Sequence, residues 1–109
     1  MIRRAVILSA LALSACSRGG PPQVEYRVLS HETEISGAQL LLCDQSVAME
    51  RQGHVWAARV PVTCEGGGMV LVRLADGASV SCSGDHVEPQ MEPTTYGYIA
   101  SATGCAFAQ

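Results

Sequence analysis

Ser83, Asp85 and His86 bring a nucleophile, an acid and a base together at one place in this 109-residue sequence. A serine hydrolase needs its histidine to take the serine proton while the acid orients the other ring nitrogen. Three side chains confined to four residues of one expected turn are too close along the chain to arrange themselves that way. No G-x-S-x-G surrounds any serine either. His31-Glu32-Thr33-Glu34 starts like the zinc-binding H-E-x-x-H pattern, but Ile35 stands where the second histidine belongs, one helical turn on. His31, His54 and His86 fall in three segments that read as separate loops. Glu88 and Glu92, in an irregular stretch bracketed by Pro89 and Pro93, read as a hydrated acidic surface rather than a glycosidase pair. Gly66-Gly67-Gly68 lacks the Gly-Lys-Ser/Thr of a phosphate loop, lysine being absent from the chain, and reads as a flexible connection. These patterns predict no enzyme, no metal and no cofactor.

The remaining reactive side chains are cysteines. Met1-Ile2-Arg3-Arg4 is a positively charged start, followed by an apolar run from Ala5 to Leu13 broken by Ser9. A membrane-spanning helix needs about 20 apolar residues; this shorter run suits the hydrophobic segment of an export signal. Leu13-Ser14-Ala15-Cys16, which closes it, resembles the lipobox of bacterial lipoproteins cleaved by signal peptidase II. The resemblance covers residues 1–16. It implies that Cys16 becomes the first mature residue, with a diacylglyceryl group on its thiol and a further acyl chain on its amino group. Two or more chains anchor stably where one does not. Ser17 stands where an aspartate would retain such a lipoprotein at the inner membrane, which implies the outer membrane with the domain facing the periplasm. A plain secretory signal cut near Ala15 is the alternative.

Removal of residues 1–15 leaves 94, enough for one small domain on a tether. Of seven basic residues, all arginine, Arg3 and Arg4 leave with the signal, so five face ten acidic residues and the formal charge moves from −3 to −5. No basic stripe exists for nucleic acid. Cys43, Cys64, Cys82 and Cys105 are an even set in a chain bound for an oxidising compartment, and two disulfides are expected. Zinc sites prefer C-x-x-C pairs, and the spacings here are 21, 18 and 23 residues. Three pairings are possible. Cys43 falls near Val62 in the register of the following hairpin, and the turn after Cys82 returns as the strand ending in Cys105, which favours Cys43–Cys64 and Cys82–Cys105.

The elements that position these residues alternate with period two. Residues 17–23 have no periodicity and carry the glycines and prolines of a tether. Val24, Tyr26 and Val28 share one face of a first strand while Glu25 and Arg27 share the other. Gln39 to Cys43 is a continuous apolar run, as in a strand buried on both faces. Residues 47–60 read as a hairpin about Gln52-Gly53, with Arg51 facing His54, Met49 facing Trp56 and Val47 facing Ala58. Met69 to Cys82 is a stronger hairpin about Asp76-Gly77. Pairing outward from that turn sets Leu71 opposite Cys82 and Arg73 opposite Val80. With the Cys82 face inward, Val70, Val72 and Leu74 form a second face, which in a sandwich is more often core beneath another strand; where a partner surface is present instead, it is expected there. Ser83-Gly84-Asp85-His86 reads as a turn, and Thr94 to Ala102 as the last strand, with Tyr96, Tyr98 and Ala100 on one face. With one tryptophan and one phenylalanine, core volume is expected from valine, leucine and methionine.

The fold predicted is all-β, a small disulfide-stapled sandwich or barrel of about six to seven short antiparallel strands over residues 24–109, after a signal peptide (1–15) and a lipidated cysteine with its tether (16–23). The function predicted is that of a non-enzymatic envelope lipoprotein, membrane-attached through Cys16, acting as a protein-binding accessory or structural component. A second reading is a periplasmic inhibitor of lysozyme- or protease-type enzymes. Ser36-Gly37-Ala38 resembles the Ser-Gly part of the inhibitory loop of membrane-bound inhibitors of c-type lysozyme, which are small lipoproteins with a disulfide-bonded β-barrel. This chain departs from their pattern in placing Ser-Gly early and in having no lysine for the partner loop.

Overall fold

The period-two alternation folds into nine strands among residues 20–108, which the computed structural model describes. They are β1 Gln23–Leu29, β2 Ile35–Leu42, β3 Gln45–Ala48, β4 Glu50–Gln52, β5 Val55–Pro61, β6 Gly66–Leu74, β7 Ser79–Val87, β8 Thr94–Ser101 and β9 Gly104–Phe107. Two sheets result, one of five strands ordered β4-β5-β1-β8-β9 and one of four ordered β3-β2-β6-β7. The all-β sandwich is present, with more strands than anticipated. Pairing is antiparallel except between β1 and β8, which run parallel because the chain reaches β8 from the other sheet. The signal segment and Cys16 lie outside the described residues. Gln23, expected in the tether, already pairs with Pro61 as the first residue of β1.

The additional strands arise where the chain turns or changes sheet. Cys43 and Asp44 have φ of 53° and 61°, the paired left-handed conformations of a two-residue hairpin loop. The apolar run therefore ends at Leu42 as half of a hairpin. It is buried on one face rather than two, with Leu40 and Leu42 inside, Leu41 half-buried and Gln39 exposed. Residues 47–52, expected as one hairpin arm, divide at Met49. β3 pairs with β2 and β4 with β5, so the chain crosses between the sheets there. Met49 is buried, and its N–H donates to the Ala38 carbonyl at 2.9 Å. The β4–β5 turn is Gly53-His54, which sets Arg51 opposite Trp56 instead of His54. Ser101 and Gly104 flank another short turn, which gives Cys105 a strand of its own.

The crossing at Met49 closes one side of the sandwich, and the Cys82–Cys105 disulfide closes the other by joining edge strands β7 and β9. Cys43–Cys64 ties the β2–β3 turn to the connection between β5 and β6. Both pairings are those favoured by the sequence, and Cys82–Cys105 joins one sheet to the other. Each closes a loop of just over 20 residues, worth about 3 kcal/mol in the loop-entropy picture.

Between the sheets, β1 and β8 contribute Val24, Tyr26, Val28, Tyr98 and Ala100, and the four-stranded sheet contributes Leu40, Leu42, Val70, Val72, Leu74 and Val87. Tyrosine thus supplies core volume that valine and leucine were expected to fill. The rings of Tyr26 and Tyr98 lie nearly parallel with centroids 6.3 Å apart, and Phe107 stacks on Tyr98 at 5.1 Å. Room for them comes from Gly68 and Gly84. A Cβ on Gly68 would lie 2.6 Å from the Tyr26 hydroxyl oxygen, and one on Gly84 would lie 2.9 Å from that of Tyr98. The glycine run is accordingly the start of β6 rather than a flexible connection. Ser83 to His86 belongs to β7 rather than to a turn, and Gly84 and Asp85 bulge opposite Gly68.

The hairpin about Asp76-Gly77 forms with a three-residue loop. The Leu74 N–H donates to the Ala78 carbonyl at 2.8 Å, the Gly77 N–H donates to the Leu74 carbonyl at 3.0 Å, and Gly77 takes φ 96°. Val70 therefore pairs with Cys82 and Val72 with Val80, one position from the expected register. A slip of one residue exchanges the two faces of a strand. Cys82 does face inward, but Val70, Val72 and Leu74 face inward with it, at 0%, 2% and 1% exposure. They are core, and the expected partner surface is not there.

Candidate functional site: the outer face of the four-stranded sheet

The same register turns Met69, Leu71 and Arg73 outward. On one side of them β7 sets Ser83, Ser81 and Ser79 opposite in turn, and on the other β2 sets Leu41, Gln39 and Gly37. β3 adds Ser46 and Ala48, with the Gln39 amide donating to the Ser46 hydroxyl. Met69 and Leu71 are each 37% exposed, and Leu41 beside Met69 is half-buried. The middle of this face carries no charged residue, and its side chains are short, hydroxylated or apolar.

Charges stand at its two ends. Arg73 lies where β6 finishes, beside a hollow of about 540 Å³ bordered by Gly37, Gln39 and Ser79. At the other end Gly67 pairs with His86, and the ladder places Glu65 and Glu88 beyond them. The His86 Nε2 is 3.5 Å from a Glu65 carboxylate oxygen and 3.9 Å from one of Glu88. A second hollow, of about 880 Å³, opens at this end between Asp44, Glu65, Gly67 and Met69. The three side chains of the cluster are exposed, with one ligand atom from each within 4.8 Å of the others. Two carboxylates so placed attract a cation, whether a guanidinium or a metal ion.

The cluster was not read from the sequence, because Glu65 and His86 meet only through the β6–β7 register. The candidates that were read do not converge. His31 lies in the bend between β1 and β2 and His54 in the β4–β5 turn, whereas His86 stands on β7, a strand and not a loop, at the opposite end of the sandwich. Ser83 faces outward on β7, and the Asp85 side chain lies outside what is described. Ser36 and Gly37 do not project as a loop. Ser36 is the extra residue of a bulge between Ile35 and Gly37, and its hydroxyl donates to the Arg73 carbonyl at 3.1 Å.

The outer face of the five-stranded sheet differs. Glu25 on β1 lies 3.6 Å from Arg27 and 3.4 Å from Arg59 of β5, so these three charges meet opposite charges of the same chain. Of the two faces, the four-stranded one leaves apolar side chains and unlike charges apart from one another.

No known protein family matches this chain, and no curated protein does. Among solved structures, the NMR structure of a protein from Eubacterium rectale superposes with a TM-score of 0.53, covering 85% of this chain and 93% of that one at 7% identity. At that identity the likeness is one of fold alone.

Proposed function

We propose that this chain is a non-enzymatic lipoprotein of the bacterial envelope, anchored through Cys16 in the outer membrane and facing the periplasm, and that it works by protein–protein contact through the outer face of the four-stranded sheet. The lipobox-like Leu13-Ser14-Ala15-Cys16 supports the anchor. The observation that carries the contact surface is the exposure of Met69 and Leu71 beside Leu41 in the uncharged middle of that sheet face. Apolar side chains gathered on a flat face gain by being covered, at about 25 cal/mol per Å² removed from water. Cross-linking of the full chain in envelope membranes, with Leu71→Glu and Cys16→Ser variants alongside, tests both halves. Wild type yields a cross-linked species that Leu71→Glu loses while keeping its unfolding transition, and wild type carries acyl chains and sits in the outer-membrane fraction, whereas Cys16→Ser carries none and is absent from that fraction. An undiminished cross-link in Leu71→Glu overturns the contact surface, and a Cys16→Ser chain that still reaches the outer-membrane fraction overturns the anchor.

A further inference from the structure

We infer that the occupant of this face is a second copy of the same chain, stacked face to face with its strands antiparallel. The inference rests on the reading of the face as a contact surface and names its partner. Its ground is the order of residues along β6 and the segment just before it. Glu65, Gly67, Met69, Leu71 and Arg73 follow one another on one face, acidic at the first end and basic at the last. A two-fold axis through Met69 superimposes this row on its own reverse. Met69 then meets Met69 of the other copy, Leu71 meets the bare Gly67, and Arg73 meets Glu65. Arg73 arrives at the hollow lined by Asp44 and Glu65, and Glu88 lies one strand away. Within one copy the two ends are about 26 Å apart, eight residues at about 3.3 Å each, so Arg73 and Glu65 cannot pair without a second chain. Two symmetric guanidinium–carboxylate contacts flank an apolar centre in which Leu41 also meets its own counterpart.

Four strands about 4.8 Å apart and about 25 Å long present roughly 500 Å² per copy. About 1,000 Å² for the pair is at the low end of specific interfaces, so the dimer dissociates readily in dilute solution. If the copies are lipid-anchored, their first strands run in opposite directions, and the pair lies with its strands along the membrane surface.

Sedimentation equilibrium of the full chain in density-matched detergent measures the association directly. Wild type shows a monomer–dimer equilibrium that weakens as salt is raised. Arg73→Glu and Glu65→Arg each shift the dimer constant at least tenfold toward monomer. Mixed in equal amounts, the two variants dimerise again, because each copy then presents a single sign of charge at both ends of the row and meets the other sign in its partner. Wild type that stays monomeric at high concentration overturns the second copy, as does Arg73→Glu that associates like wild type or a mixture that does not recover. A monomeric wild type whose envelope cross-link is still lost in Leu71→Glu leaves the contact surface standing for a different protein. If Leu71→Glu changes neither readout, the contact surface falls as well.

Discussion

On the outside of the five-stranded sheet Glu25 sits between Arg27 and Arg59, and each charge has an opposite neighbour within the chain. On the outside of the four-stranded sheet Arg73 and the pair Glu65 and Glu88 stand at opposite ends, separated by Leu71 and Met69. Inside the sandwich the contrast runs the other way. The five-stranded sheet brings bulk in Tyr26 and Tyr98, and the four-stranded sheet brings space in Gly68 and Gly84. One sheet thus supplies the large rings of the core and pairs Glu25 with Arg27 and Arg59 on its outer side. The other receives those rings and keeps Met69 and Leu71 outside, between an arginine at one end and carboxylates at the other. The difference puts the bulk of the core on one sheet and, on the reading proposed above, the contact surface on the other.

The largest test of that division is Tyr26→Ala. Tyr26 is fully buried, stacks beside Tyr98 and packs on Gly68, which has no side chain of its own to fill the void. Truncation of a buried aromatic costs about 3–5 kcal/mol, a large part of the stability of a domain this small. Urea unfolding should show the loss as a lowered midpoint. A loss below about 1 kcal/mol would mean that the rings do not fill the core from this side.

A smaller effect separates adjacent residues of β6. Val70→Ala removes a side chain with no exposed surface and should cost about 2 kcal/mol. Leu71→Ala, one residue on and facing out, should change unfolding by no more than about 0.5 kcal/mol. Equal losses at the two positions would contradict the three-residue turn at Ala75-Asp76-Gly77 and with it the identity of the outer face.

That turn also marks where the sequence ceased to be legible. Alternation alone gave the faces of β1, since Glu25 and Arg27 label one side and Val24, Tyr26 and Val28 the other. The even count of cysteines pointed to two disulfides, and the expected hairpin register near Val62 and the return of the chain after Cys82 pointed to their pairing, which the structure has. β6 carries no such label. Met69 to Leu74 is apolar at every position but Arg73, so the face depends on whether two or three residues make the loop, and Asp-Gly serves both. Gly66 to Gly68 and Gly84 were misread for a related reason. Glycine marks a flexible loop and a close approach alike, and only the tyrosines packed against it from another sheet decide between them. The acidic end of the contact face was invisible because Glu65 and His86 become neighbours only through the register of a bulged ladder.

An effect smaller than that at Val70 is expected at Glu25, and it sharpens the comparison most. Glu25→Gln leaves Arg27 and Arg59 without their carboxylate, but both guanidinium groups are largely in water, so the loss of stability should be about 0.2–1 kcal/mol. Added salt should shrink even that difference, because ion pairs exposed to water are weakened by screening. The change of charge at Glu25→Gln is half that at Glu65→Arg, but it lies on the opposite side of the sandwich. If the association of two copies depends on where charges sit along β6, Glu25→Gln leaves the dimer constant unchanged while Glu65→Arg weakens it at least tenfold. If it depends on overall charge, making the chain less negative favours association in both variants, strongly in Glu65→Arg and weakly in Glu25→Gln. The sign of the Glu65→Arg effect, read against Glu25→Gln in one sedimentation series, therefore separates a patterned face from a merely acidic one.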